Sequence, residues 1–274
     1  MSYIENVIKI NKNNINICYN DEGPKDAITI IFIHGFPFNK LMWNLQLQEL
    51  KENYRVIAYD IRGYGGSDAG TEDFSIDLFV NDLICFMNAL EIDKTVLCGL
   101  SMGGYIALNA VENYPERFSA LILCDTNCIA DTSEAKEKRM SAIEGIRKNG
   151  EIEYAETSIK NLFSPLALTT MEYEITALKE EIVNTSGQTL CNTLLALAGR
   201  RETCSKLPEI KIPVLIMVGK DDKVTPPSAA QSMHERIKNS LLVIIENAGH
   251  ISNLENHNEF NNNLKKFALS IKSK

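Results

Sequence analysis

Gly99-Leu100-Ser101-Met102-Gly103 is the stretch on which the reading of this chain turns. Before it lies the short apolar run Lys94-Thr95-Val96-Leu97-Cys98, which reads as a strand. After it, Tyr105-Ile106-Ala107-Leu108-Asn109-Ala110 reads as a helix. A G-x-S-x-G pentapeptide between a strand and a helix is the setting of a nucleophile elbow. The turn is sharp, so the serine is held in a strained backbone conformation with its hydroxyl exposed. Glycines two positions to either side lack the Cβ atoms that would collide there. Glycine and serine are common in ordinary turns. The flanking elements, and further signals in chain order, are what single out Ser101.

Working outward, strands and helices alternate. Residues 4–10 and 15–19 alternate apolar and polar around Asn13-Asn14, which predicts a β-hairpin. Ile28 to Ile33 is a continuous apolar run, as in a strand buried on both faces. A helix follows over about 40–51, then a strand at 55–59. Ile76, Phe79, Val80, Leu83, Ile84 and Met87 have helical spacing. Strands at 119–124, 214–218 and 241–245 and helices at 226–237 and about 255–271 complete the pattern. This order predicts an α/β fold, a mostly parallel eight-stranded sheet with helices on both faces. Residues 131–205 break the alternation. They are charged, rich in helix formers and without a convincing strand, so they read as three or four inserted helices. The expected organisation is a core of residues 1–130 and 206–274 carrying a helical lid at 131–205.

Bulk properties narrow the function. The 274 residues include 28 basic and 36 acidic side chains, a net charge of −8. Binding nucleic acid through its phosphates needs a basic face, so that class is disfavoured, as is an anionic membrane surface. No apolar run approaches the roughly 20 residues of a membrane span. Met1-Ser2-Tyr3-Ile4-Glu5-Asn6 lacks a basic start followed by an apolar stretch, so no signal peptide is expected and the chain is placed in the cytoplasm. The seven cysteines, at 18, 85, 98, 124, 128, 191 and 204, read as buried free thiols in a reducing compartment. Cys124 and Cys128 lie four apart with no second pair or histidine at zinc spacing, so no metal is expected.

A serine hydroxyl needs an adjacent base to act as a nucleophile, and histidine is the natural one. Of four histidines, His250 follows the last strand directly, in Asn247-Ala248-Gly249-His250-Ile251. Strand ends at the carboxyl edge of a parallel sheet are where sites assemble. His34 ends an inner strand, while His234 and His257 read as solvated helix residues. A carboxylate should orient the imidazole. Asp221 and Asp222 compete for that role after the penultimate strand, with Asp125 a third candidate. The backbone N–H of Met102, at the start of its helix, is placed to hold an oxyanion.

Five segments in order resemble the α/β-hydrolase family: His34-Gly35-Phe36-Pro37, Asp60 to Asp68, Gly99 to Gly104, Gly219 to Pro226 and Gly249-His250. The order Ser…Asp…His is also that family's. The resemblance selects Asp222 over Asp221, leaves Asp125 as a fallback, and implies that the Phe36 N–H is the second oxyanion donor. His34 and Gly35 then shape the loop, and Arg62, Gly63, Gly65 and Ser67 organise its neighbour. Haloalkane dehalogenases and epoxide hydrolases of this fold use aspartate at the elbow, so Ser101 excludes both. The motifs look most like small carboxylesterases and 3-oxoadipate enol-lactonase-type enzymes, which implies hydrolysis of a small ester or lactone through an acyl-enzyme, with no cofactor. A C–C bond hydrolase, perhydrolase or small acyltransferase would use the same residues, and a non-catalytic binding member of the fold is the reading from another class. Trp43, Leu162 and Phe163 are candidate pocket residues, with core packing the alternative for each. The lid shows no recognisable anion-binding cluster, and Arg200-Arg201 reads as a solvated helix end.

Overall fold

The computed structural model describes residues 5–10 and 14–272. Eight strands form one sheet in the order β1-β2-β4-β3-β5-β6-β7-β8. They are β1 (Asn6–Ile10), β2 (Ile15–Glu22), β3 (Thr29–Ile33), β4 (Arg55–Tyr59), β5 (Thr95–Leu100), β6 (Phe118–Cys124), β7 (Val214–Gly219) and β8 (Ser240–Ile245). β1 and β2 form the expected antiparallel hairpin, and β2 joins β4 antiparallel. The connection at 11–13 lies outside the described residues. From β4 through β3, β5, β6 and β7 to β8 every pairing is parallel.

Eleven helices accompany the sheet among the described residues: α1 (Asn44–Leu50), α2 (Ile76–Ala89), α3 (Met102–Asn113), α4 (Ser133–Asn149), α5 (Glu151–Leu162), α6 (Ala167–Thr170), α7 (Glu172–Val183), α8 (Gly187–Ala198), α9 (Pro227–Arg236), α10 (Ser252–Glu255) and α11 (His257–Lys272). All six residues of β5 and all six of β7 are buried. Successive strand side chains point to opposite sides, so helices must cover both faces. α2 buries the six apolar positions that its spacing predicts, and Ser75 caps it by accepting from the Leu78 N–H at 3.0 Å. No helix among the described residues is long and apolar enough to cross a membrane.

Two expectations are corrected here. The stretch from 131 to 205 holds five helices, α4 to α8, not three or four. Short turns at Gly150, Met171 and Ser186 separate segments that the sequence blurs together. Nor are all seven cysteines free, for Cys128 and Cys204 form a disulfide across a sequence separation of 76. These residues flank the five helices α4 to α8, and the Thr203 N–H donates to the Cys128 carbonyl at 2.8 Å. Proximity of that kind is set by the fold and leaves no trace in linear spacing. Of the other five, Cys18, Cys98, Cys124 and Cys191 are buried and Cys85 is half-buried.

Candidate active site

Every chemistry-bearing segment leaves the carboxyl end of a parallel strand. Ser101 follows β5 and sits at φ 53°, ψ −112°, a strained conformation for a residue with a Cβ. The glycines around it are there for space. A Cβ on Gly99 would lie 2.2 Å from the Gly103 carbonyl oxygen, and one on Gly103 would lie 2.3 Å from that of Ile33. The Thr126 hydroxyl donates to the Ser101 carbonyl at 2.8 Å and holds the turn from below.

His250 follows β8, and its Nε2 lies 2.9 Å from Ser101 Oγ. The other ring nitrogen, Nδ1, lies 2.9 Å from Asp222 Oδ2. Asp222, after β7, is fixed in turn. Its Oδ1 accepts from the Val224 and Thr225 N–H groups at 2.8 and 3.0 Å, and its Oδ2 accepts from the Thr225 hydroxyl at 2.7 Å. The three side chains therefore form one continuous relay, with Ser101 8% and His250 2% exposed. Burial alone would push the Asp222 carboxyl up. The charge and hydrogen bond of His250, with the Thr225 donors, hold it below the usual carboxylate range. Burial likewise favours the neutral His250 ring, but Asp222 outweighs this and raises the ring above its ordinary 6.5.

Asp125 does not reach the imidazole. It accepts from the Gly219 N–H at 2.8 Å and from the Ser252 hydroxyl at 2.5 Å, tying the acid-bearing loop to the base-bearing one. Burial and the nearby Asp222 raise its carboxyl well above the usual range. Asp221 is exposed. Of the three acidic candidates, the geometry brings only Asp222 to His250.

The loop after β3 closes over the elbow. A Cβ on Gly35 would lie 2.9 Å from the Leu100 side chain and 3.4 Å from Ser101 Cβ, so the backbone leading into Phe36 runs beside the serine. Met102 follows Ser101 as the first residue of α3. His34 is wholly buried, and its Nε2 accepts from the Ile61 N–H at 3.0 Å. Burial pushes its pKa down to about 4, so the ring is a neutral strut for the loop. Arg62 is buried against Asp82, with Oδ1 at 2.8 Å, and reaches Glu72 at 2.9 Å, which gives the neighbouring loop its anchor.

Two pocket expectations meet different outcomes. Trp43 is a core residue, fully buried with its ring 5.1 Å from Phe32 and 6.3 Å from Phe260. A lone tryptophan after the loop gave no signal of that inward direction. Leu162 and Phe163 do lie at the site, both buried. The Leu162 carbonyl accepts from the His250 N–H at 2.9 Å, and Gly249 is packed against the Phe163 backbone. Arg200 is no solvated helix end. Its side chain is buried, donates to the Ile129 carbonyl at 3.2 Å and stacks 4.4 Å over the Tyr105 ring. Arg201 is the exposed one, paired with Glu112 at 2.7 Å. Sequence reasoning missed Glu255. Its Oε1 accepts from the Gly249 N–H at 2.9 Å and its Oε2 from the Ser164 N–H at 2.8 Å, so it clamps the insertion to the loop that carries His250. Among the described residues no His, Cys, Asp and Glu side chains are grouped so as to hold a metal.

A sheet of this order, with a strained serine after β5 and histidine after β8, defines an α/β-hydrolase architecture. The chain belongs to that family: the model for the alpha/beta hydrolase fold matches residues 28–257. It is 30% identical over 239 residues to 3-oxoadipate enol-lactonase 2 of Acinetobacter baylyi, an alignment covering 87% of this chain and 88% of that one. A thermophilic esterase from Thermogutta terrifontis superposes with a TM-score of 0.91 at 29% identity, covering 99% of both chains. The enol-lactonase of Burkholderia xenovorans shares the fold with a TM-score of 0.89 at 23% identity, over 96% of this chain and 100% of that one.

Proposed function

We propose that this α/β-hydrolase opens a small carboxylic ester or lactone through an acyl-enzyme on Ser101. The reading is carried by the relay from Ser101 Oγ through His250 to Asp222, with both hydrogen bonds at 2.9 Å. The ester-hydrolysing and enol-lactone-hydrolysing relatives support the same bond type.

His250 Nε2 takes the Ser101 proton as Oγ attacks the carbonyl carbon. Charge develops on the carbonyl oxygen, and the Phe36 and Met102 N–H groups donate to it. Asp222 keeps Nδ1 protonated and stabilises the imidazolium. The Nε2 proton then passes to the leaving alkoxide. In a lactone the alcohol stays tethered to the acyl group; in an ester it departs. Water repeats the sequence, giving its proton to His250, and the acid is released with Ser101 restored.

Residues 131–205 act as the lid in this reading. Their contacts fall on the site: the Leu162 carbonyl on the His250 N–H, Ser164 on Glu255, and the Tyr154 ring 6.2 Å from Phe36. Leu162 and Phe163 then flank the acyl group. With Ser101 and His250 so little exposed, small substrates are favoured over polymers. A fluorophosphonate probe tests the scheme against a non-catalytic binding role. Labelling of Ser101 in the folded protein at neutral pH is expected, together with turnover in a panel of p-nitrophenyl esters and lactones. An unlabelled Ser101 would overturn it.

A further inference from the structure

The backbone around His250 is held by the segment that joins α5 to α6. The His250 N–H donates at 2.9 Å to the Leu162 carbonyl, one of the acceptors that the end of α5 leaves unpaired. Two residues further along that segment, the Ser164 N–H donates to Glu255 Oε2 at 2.8 Å. One residue before His250, the Gly249 N–H donates to Glu255 Oε1 at 2.9 Å. A single carboxylate therefore bridges two stretches of chain that the first hydrogen bond already joins. They lie too close to admit a side chain between them. A Cβ on Gly249 would lie 2.6 Å from the Ser164 nitrogen, 2.9 Å from the Phe163 carbonyl carbon and 3.0 Å from Glu255 Oε1. Phe163 is extended, at φ −102° and ψ 152°, so the segment 162–164 runs alongside Gly249 and His250.

The bridge needs both the reach and the charge of a glutamate. Its two donors belong to different stretches of chain, and each takes one oxygen. Glutamine has one oxygen and would turn its NH2 against the second N–H. Aspartate keeps both oxygens but is one methylene shorter. Burial raises the Glu255 carboxyl above its usual range, while the Ser164, Gly249 and Ile251 N–H groups pull it down. Leu162 to Ala167, the chain packed against it, has no charged side chain. The titratable groups that act on the imidazole are Asp222 after β7, Asp125 after β6 and Glu255 at the end of α10. Burial lowers the pKa of the ring, and these three carboxyls raise it, Asp222 most.

We propose that Glu255 is a positioning residue for the reaction at Ser101, acting through His250. It fastens the loop that carries the base to the segment between α5 and α6. The imidazole then points at Ser101 Oγ only while that segment is docked. A displacement of residues 162–164 would carry Gly249 and His250 with it, so a stretch that walls the pocket also sets the aim of the base. The catalytic half of this statement rests on the hydrolase reading above. The bridge, and its field on the imidazole, stand without it.

Glu255→Gln and Glu255→Asp test the role. In Glu255→Gln, kcat for p-nitrophenyl butyrate should fall about tenfold or more with KM within about twofold, as a misaimed base implies. The acid limb of kcat/KM should also move down by about half a pH unit, because a negative charge that favours the imidazolium is gone. In Glu255→Asp the charge remains and the reach does not, so kcat should fall while the acid limb stays in place. A residue that merely supports the fold would lower the urea midpoint and leave both kcat and the acid limb of the folded protein unchanged. NMR titration of the His250 ring reads the same shift without turnover. A kcat unchanged in either folded variant, or a His250 titration unmoved in Glu255→Gln, overturns the proposal. Should Glu255→Gln fail to fold, kcat and KM of Glu255→Asp decide the matter. If the ring titrates lower in Glu255→Gln while the wild-type protein cleaves no ester, the bridge stands and the hydrolase reading fails.

Discussion

Replacing Asp222 by asparagine changes one atom and should remove most of the activity. Asp222 accepts from the Val224 and Thr225 N–H groups on Oδ1, and on Oδ2 it faces the Thr225 hydroxyl and His250 Nδ1. In Asp222→Asn the carbonyl oxygen stays with the two backbone donors, because an NH2 group there would oppose two N–H groups. The NH2 therefore replaces Oδ2. The Thr225 hydroxyl can rotate to accept from it. His250 Nδ1 must also become an acceptor, and this moves the ring proton to Nε2. Nε2 then points an N–H at Ser101 Oγ, and the base can no longer take the serine proton. The loss expected is about 10^3- to 10^4-fold in kcat, equivalent to about 4–5.5 kcal/mol of barrier. Stability should fall by no more than about 1–2 kcal/mol, since the loop keeps its hydrogen bonds. p-Nitrophenyl butyrate hydrolysis measures the first quantity and urea unfolding the second. Asp221→Asn, at an exposed position, serves as the control and should stay near wild type. Activity of Asp222→Asn within tenfold of wild type, or a thousandfold loss in Asp221→Asn, would refute the reasoning.

Three other outcomes follow from the same geometry. Since Asp222 raises the His250 pKa above 6.5, and the neutral ring is the base, kcat/KM should fall as pH drops through a value above 6.5; an acid limb at or below 6.5 in the free enzyme would contradict this. In Gly103→Ala the new methyl would sit 2.3 Å from the Ile33 carbonyl oxygen, a backbone atom, so a loss of about 3 kcal/mol or more in urea unfolding is expected, or no soluble protein. Replacing both Cys128 and Cys204 by serine frees a loop closed over 76 residues, and chain entropy gives a stability loss of up to about 4.5 kcal/mol, read as a lower urea midpoint than that of the oxidised protein.

The sheet was legible because its inner strands are buried on both faces and so appear as unbroken apolar runs, and the half-buried edge strand β8 is apolar enough to read the same way. β4 was predicted to the residue, and β3, β6 and β8 to within one. Ser101, His250 and Asp222 were legible for a related reason. Each sits a few residues beyond such a run, where a parallel sheet gathers its loops. The residues that hold them in place were not legible. Thr126 and Ser252 act through single side-chain hydrogen bonds to segments far away in sequence, and Glu255 ties nearby Gly249 to distant Ser164, so none of these residues carries a mark of its partner. The insertion resisted most. Its helices bury their apolar sides against one another and against loops of the core, so periodicity marks a helix but not what it faces. That is why Arg200 reads as a surface residue when it is a buried brace that joins the Ile129 and Leu197 carbonyls and stacks on Tyr105.

The disulfide at the neck of the insertion has a consequence for how this protein could be altered. Cys128 and Cys204 lie 4.9 Å apart at Cα, so everything between them leaves the sheet and returns to it at one place. A turn of two or three residues spans such a gap. Ser101, Asp222, His250, Phe36 and Met102 all lie outside that ring, whereas Leu162 and Phe163 lie inside it. The segment is thus a ring closed at one neck, held to the core elsewhere by the Leu162 carbonyl on the His250 N–H and by Ser164 on Glu255. Another helical insert with ends equally close, and with those two contacts, could be joined at the same neck without changing the register of β6 or β7, and would bring its own pocket walls to the same nucleophile.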